Sequence, residues 1–238
     1  MISIDGVASR VITLIGVGHV FDLRAAIRNE IEERRPAVVG VELDPARLEA
    51  LRAPEASQSG FTIYAVLAYV QRRIASEYGT RAGAEMLAAA DTAREVGARL
   101  AFLDLDSRFV LGRLLRAMTW REKAKFAFSV LGGLFLRRST VESELQKFES
   151  DEAAFLEALA KDFPAVKRVL IDERNAHMAG ALRSLEAEHG SVVAVVGEGH
   201  VEGLRALLTD RFPDVIRLRD LRTTAVPGNA SSTVSLDR

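Results

Sequence analysis

Short β-branched runs alternate with stretches of helical spacing along the first hundred residues. Val11 to Ile15 is an apolar run that ends at glycines and reads as a buried strand. From Asp22 to Arg35 the residues Leu23, Ile27 and Ile31 recur on one helical face, and Pro36 stops the helix. Ala37 to Val41 is a second buried strand, ending at Glu42. Such a strand–helix–strand unit is normally a parallel crossover. Pro45 to Leu51 reads as a short helix and Pro54 to Gly60 as a loop. Longer helices are predicted over Phe61 to Tyr78 and Ala82 to Val96, and Gly97 ends the second. Leu100 to Leu103 is a third strand, terminating at Asp104.

The pattern then changes. Residues 107–190 are helical throughout and rich in charge, and the last helix, Pro164 to His189, is expected to break near Asp172. Val192 to Val196 is a fourth strand running into Gly197, followed by a helix over Val201 to Arg211 and a strand over Val215 to Leu218. Residues 225–238 are polar, carry Pro, Gly, Asn and Ser, and read as a disordered tail. These elements predict one domain over 1–224 of α/β class, with α+β as the alternative. It is a small parallel-dominated sheet with a large all-helical insertion at about 107–190.

Composition narrows the function. The chain has 238 residues, with 32 Lys plus Arg against 33 Asp plus Glu and a formal charge of −1, so no general electrostatic pull toward nucleic acid is expected. With no cysteine, disulfides, thiolate metal sites and cysteine nucleophiles are excluded. The longest apolar run, Phe126 to Leu136, falls short of the roughly 20 residues that span a bilayer. Without a transmembrane segment or the apolar stretch of a secretory leader, a cytoplasmic protein is expected.

Two distant segments echo each other. Residues 11–25 read VITLIGVGHVFDLRA and residues 192–206 read VVAVVGEGHVEGLRA, identical at eight of fifteen positions. Each is an apolar strand, then Gly-x-Gly-His, then helical spacing. Two of the four histidines, His19 and His200, occupy the repeated position. Both fall at carboxyl ends of predicted strands, where open α/β sheets place their ligands. Glu42, ending the strand VVGVE, projects at the same edge. Two neutral imidazoles and one carboxylate suit a divalent ion of the Mn²⁺, Zn²⁺ or Co²⁺ type, with positions open for water or substrate. A dinucleotide-binding reading of Gly16-Val-Gly18 is weak, because the third glycine of that fingerprint would fall at Phe21.

Taken in order, these motifs resemble the TraB family, related to the Tiki metalloproteases and to a broader group of hydrolases that includes erythromycin esterases. GVGHV followed by PAVVGVELDPARLEAL resembles its opening block, and AGAEMLAAADTAREVGARLAFLD its middle block. DERNAHMAGAL and VVAVVGEGHVEGL resemble its closing blocks. The resemblance implies that the two G-x-x-H motifs line one site, and that His19, His200 and Glu42 support metal-dependent proteolysis as in the Tiki branch. By motif position, Glu85 in GAEM and Arg174 in DERN become further site candidates. TraB relatives are linked to shutting down peptide pheromone signals, which implies a peptide substrate or ligand. There are departures. Where the family follows its third strand with Asp-Arg-Asp, this chain has Asp104-Leu105-Asp106, and Glu198 stands where Ala is frequent.

Plainer roles compete. Glu85 at a helix start favours the helix dipole, worth about 0.3–1 kcal/mol, and Arg174 can pair with a neighbouring acid. His177 and His189 read as structural. The segment KAKFAFSVLGGLFLRR, Lys123 to Arg138, reads as a helix–helix core or as the contact of a homodimer, with contact to a membrane surface as the alternative. The leading expectation is a metal-dependent peptidase acting on peptides. In it Arg174 would stabilise an oxyanion and Glu85 or Glu198 would move protons. A metal-free esterase-like hydrolase and a protein that sequesters a peptide or small ligand without turnover stay open.

Overall fold

A computed structural model describes residues 10–18, 22–52, 83–125 and 160–225. Five strands form one fully parallel sheet: β1 (Val11–Val17), β2 (Val38–Val41), β3 (Arg99–Phe102), β4 (Ser191–Gly197) and β5 (Asp214–Ile216). Their order across the sheet is β3-β2-β4-β1-β5. All five carboxyl ends therefore lie at one edge, which receives Glu42, Asp104 and Gly197. The predicted strands all form, with boundaries moved by one or two residues. The class is α/β.

Helices cover both faces. Helix α1 (Arg24–Arg34) buries Leu23, Ile27 and Ile31 as the spacing requires, and a left-handed Arg35 turns the chain out ahead of Pro36. Helix α2 (Pro45–Arg52) is followed among the described residues by α3 (Ala84–Val96), which ends at a left-handed Gly97. Leu23, Ile27 and Ile31 of the α1 segment and Met86, Ala89 and Ala93 of α3 pack with Ile15, Val41 and Val195 on one face. On the other face Met178 and Leu182 meet Leu14, Val192, Val201 and Leu204. The predicted helix over Phe61 to Tyr78 lies outside the described residues.

The helical insertion begins with α4 (Ser107–Ala117), whose first turn is capped by the Asp106 carboxylate accepting from the Arg108 N–H at 2.8 Å. Its described end is one long helix with a defect: α5 (Pro164–Lys167), a π turn over Arg168–Asp172, and α6 (Glu173–His189). The break expected near Asp172 is thus a widened turn, in which the Glu173 N–H reaches back to the Arg168 carbonyl. Leu105 packs on the cluster formed by Val110, Leu114, Ala165 and Val169. Helix α7 (Glu198–Leu207) follows β4, and α8 (Leu218–Ala225) follows β5. Helix α8 was not anticipated. Its Leu218 and Leu221 pack on the α1 face, so the chain is still part of the core up to Leu221. Residues 226–238 of the predicted tail lie outside the described residues.

The units β1–α1–β2 and β4–α7–β5 are related by an approximate twofold axis running along the strands between β1 and β4. Each unit steps over the other's first strand: β2 lands beside β4, and β5 beside β1. The helix after β1 packs on one face and the helix after β4 on the other. The register agrees. Val11 pairs with Ser191, whereas the echo aligns it with Val192. Paired residues of a parallel sheet share a face, so a stagger of one sends equivalent residues to opposite faces. Accordingly Ile15 faces α1 while its equivalent Val196 faces α7, and Leu14 and Val195 do the reverse. The two corners do not enter their helices alike: α7 begins at Glu198, directly after its strand, whereas α1 begins only at Arg24.

Candidate active site

Adjacent strands whose following helices leave to opposite faces open a crevice at the carboxyl edge, and β1 and β4 are such a pair. His200 stands beside it, on the first turn of α7. Its ring is buried, and both nitrogens face oxygen: Nδ1 lies 2.7 Å from Asn175 Oδ1 and Nε2 lies 3.2 Å from Glu42 Oε1.

Glu42 is the hub. Its Oε2 accepts the Gly197 N–H at 2.6 Å, and its Oε1 accepts from Arg174 Nη2 as well as facing the imidazole. Burial by itself would raise the carboxyl. The His200 ring in its protonated form, the Arg174 guanidinium and the Gly197 N–H together hold it well below the usual carboxylate range. Gly197 has little room to be anything else: a Cβ there would sit 3.2 Å from Glu42 Oε2.

Arg174 ties two strand ends together. Nε and Nη2 grip Asp104 Oδ1 and Oδ2, each at 2.8 Å, and Nη1 donates to the Leu170 carbonyl inside the π turn at 3.2 Å. Burial would lower the guanidinium, but Glu42 and Asp104 overcome that and push it further up. With Nη2 also donating to Glu42, four of its five N–H groups are committed among the described residues, and the fifth is on Nη1. The side chains of Asp104, Glu42 and Arg174 are only 5%, 11% and 14% exposed. Half-exposed Arg47 approaches Asp104 at 3.7 Å from the rim.

The structure therefore brings Glu42, Arg174 and His200 into one cluster. Glu85 is also buried, at the start of α3. That helix packs on the α1 face, across the sheet from Arg174 and Asn175. His19 lies outside the described residues. Among the described residues no three His, Asp or Glu side chains are grouped to hold a metal. Glu198 is engaged elsewhere: it accepts from Arg217 Nε at 2.6 Å and from the Leu218 N–H at 3.0 Å, over Gly16.

Two members of the cluster escaped the sequence reading. Asp104 was visible as the end of β3, and in place of a neighbouring arginine its charge partner is Arg174, from a helix seventy residues away. Asn175 carried a subtler signal. It heads the buried stripe Met178, Ala179, Leu182 of α6, a polar group where the spacing calls for an apolar one.

The sequence pattern of the TraB/PrgY/gumN family matches residues 1–211, which include every member of this cluster. The chain belongs to the TraB/PrgY/gumN family. It is 32% identical over 213 residues to the uncharacterized protein MJ1365 of Methanocaldococcus jannaschii, an alignment covering 84% of this chain. The chain spans about half of that relative's length, 54%. Among the described residues of this family member no helix is long and apolar enough to cross a membrane.

Proposed function

We propose that the chain is a metal-dependent hydrolase acting on peptides, with Glu42 and His200 as two of the donors to a divalent ion and His19 as the third. One observation carries the reading: the His200 ring lies between two acceptors. A neutral imidazole has a single N–H, and an ionised carboxylate can only accept. With Nδ1–H given to Asn175, the Nε2 lone pair meets Glu42 Oε1 unless a cation lies between them. The facing atoms, His200 Nε2 and Glu42 Oε1, lie 3.2 Å apart and would hold the ion between them.

A divalent ion held there would polarise a carbonyl and make water nucleophilic at neutral pH. The protein's own groups do the rest. Arg174 keeps Glu42 ionised and anchored, Asn175 holds the ring, and the spare Arg174 N–H offers one donor to a developing oxyanion. Mn²⁺, Zn²⁺ and Co²⁺ all suit an imidazole–carboxylate set.

A proton fills the same gap, which supports a second, metal-free reading in which His200 shares it with Glu42 and acts as acid or base. Metal analysis of protein purified without a polyhistidine tag, followed by turnover of a peptide library with Mn²⁺, Co²⁺ or Zn²⁺, separates the two. Turnover lost with chelator and restored by metal is the expected result. Turnover indifferent to chelator favours the metal-free reading, and saturable peptide binding without turnover makes the protein a sequestering one. A homodimer through the helical insertion is a separate proposal, tested by sedimentation.

A further inference from the structure

We infer that Asn175 is the positioning residue of this site, and that Gly203 exists to admit it. The claim deepens the proposed function and rests on it only for the metal's part; the orientation of the ring stands on geometry alone. Asn175 and His200 are both buried, 3% and 5% exposed, and Asn175 Oδ1 lies 2.7 Å from His200 Nδ1. That contact requires the proton on Nδ1, and so presents Nε2 to Glu42. A ring nitrogen opposite the ligating one, hydrogen-bonded to a fixed oxygen, is the usual means of orienting an imidazole ligand.

The amide reaches the ring only because α7 carries no side chain at the point of crossing. A Cβ on Gly203 would fall 2.2 Å from Asn175 Nδ2 and 3.1 Å from its Cγ. The first copy of the echo has Asp22 at the aligned position, so the glycine belongs to the second corner alone. The π turn supplies the other half of the arrangement. It lets the consecutive residues Arg174 and Asn175 serve the same cluster, with Arg174 closing back on the Leu170 carbonyl inside the turn. Among the described residues the hydrogen bond of the Asn175 side chain goes to His200.

The test is nitrogen NMR of the full-length chain with labelled histidine, the His200 signals assigned by difference against His200→Gln. In the wild type Nδ1 should carry hydrogen, both without metal and with Zn²⁺ added. Asn175→Asp keeps an acceptor and should preserve that pattern. Asn175→Ala should free the ring to give its proton to Glu42 from Nε2, and Zn²⁺ affinity should fall about 10–100-fold. Gly203→Ala touches neither partner chemically but displaces the amide, and should reproduce the Asn175→Ala ring signals with the circular-dichroism spectrum retained. If one of these two variants fails to fold, the other decides. A wild-type ring bare at Nδ1, or ring signals unchanged in either folded variant, overturns the inference. Zn²⁺ failing to bind a wild-type protein whose Nδ1 carries hydrogen would instead sink the metal reading and leave the positioning role intact.

Discussion

The two halves of the sheet share one topology, yet they finish their corners differently. At the β4 corner the neighbouring strand β2 delivers Glu42, which binds the Gly197 N–H and faces the His200 ring. At the β1 corner the neighbour is β5. Val41 pairs with Val195 and Val215 with Leu14, which are equivalent residues, so the position equivalent to Glu42 is Ile216. Ile216 packs against the α1-side core. Glu198, whose equivalent Val17 is buried, closes over Gly16 and is satisfied by Arg217 and the Leu218 N–H. The described part of the β1 corner is thus an apolar wall with a neutralised ion pair, while the β4 corner gathers charge around an imidazole. A duplicated backbone need not mean duplicated surroundings: among the described residues, the side chain at the end of the adjacent strand decides which corner gathers charge.

The largest test of that contrast is electrostatic. Arg174→Met leaves Glu42 and Asp104 buried without their cation and should cost about 3–5 kcal/mol in urea unfolding. Arg217→Met, at the better solvated pair, should cost only about 1–2 kcal/mol. Equal losses would mean that both corners depend on their ion pairs alike.

His200→Ala should abolish chelator-sensitive turnover and lower Mn²⁺ or Zn²⁺ affinity at least about 100-fold, while stability falls by only about 1–2 kcal/mol. Ile216→Val, at the other corner, should change stability by about 0.5–1 kcal/mol and leave metal affinity alone. Calorimetric titration of both variants measures this, and an Ile216→Val protein that lost metal would break the asymmetry.

Glu42→Gln keeps the shape and removes the charge, at a cost of about 1–3 kcal/mol near neutral pH. Because the folded carboxyl is held below its ordinary value of 4.5, its contribution is complete above that pH. The contribution fades as pH falls from there toward the depressed folded value. The stability gap between wild type and Glu42→Gln should therefore be flat from pH 7 to 5 and narrow below about 4.5. A gap that widened on acidification would mean that the site does not favour the carboxylate.

The last pair of tests concerns glycines. A Cβ on Gly16 would lie 2.0 Å from Glu198 Oε2 and 2.8 Å from Val201 Cγ2, so Gly16→Ala should cost about 1–3 kcal/mol. On exposed Gly180, in the middle of α6, a Cβ meets nothing within 4 Å, and Gly180→Ala should add about 0.5–1 kcal/mol. Thermal unfolding of the pair distinguishes close approach from helix propensity.

Much of this molecule was legible in its residues. Buried parallel strands announce themselves as unbroken β-branched runs, and Val11, Val38 and Val192 all start or lie within such runs. Leu23, Ile27 and Ile31 gave α1, and the break expected near Asp172 falls where the π turn lies. Helix α8 was missed because Leu218 looked like the end of an apolar run, and only its docking beside α1 makes the next turn helical. In the site, Glu42 and His200 could be read from strand ends and Arg174 from its motif. Asp104 showed only as a strand end and Asn175 only as a polar residue on a buried stripe, because their partners lie 70 and 25 positions away.

Local order in the chain thus determined the strands, most of the helices, the echo and the placement of acids and imidazole at the carboxyl edge. It could do so because burial imposes a period on each element separately. The face on which each helix settled, the one-residue stagger between β1 and β4, and the partner of each charge were decided only when the sheet assembled. Those outcomes depend on which strand lies next to which, and strand adjacency is a property of the packed sheet. It is why Glu42 meets His200 across β2 and β4, while its equivalent Ile216, on β5, meets the apolar core.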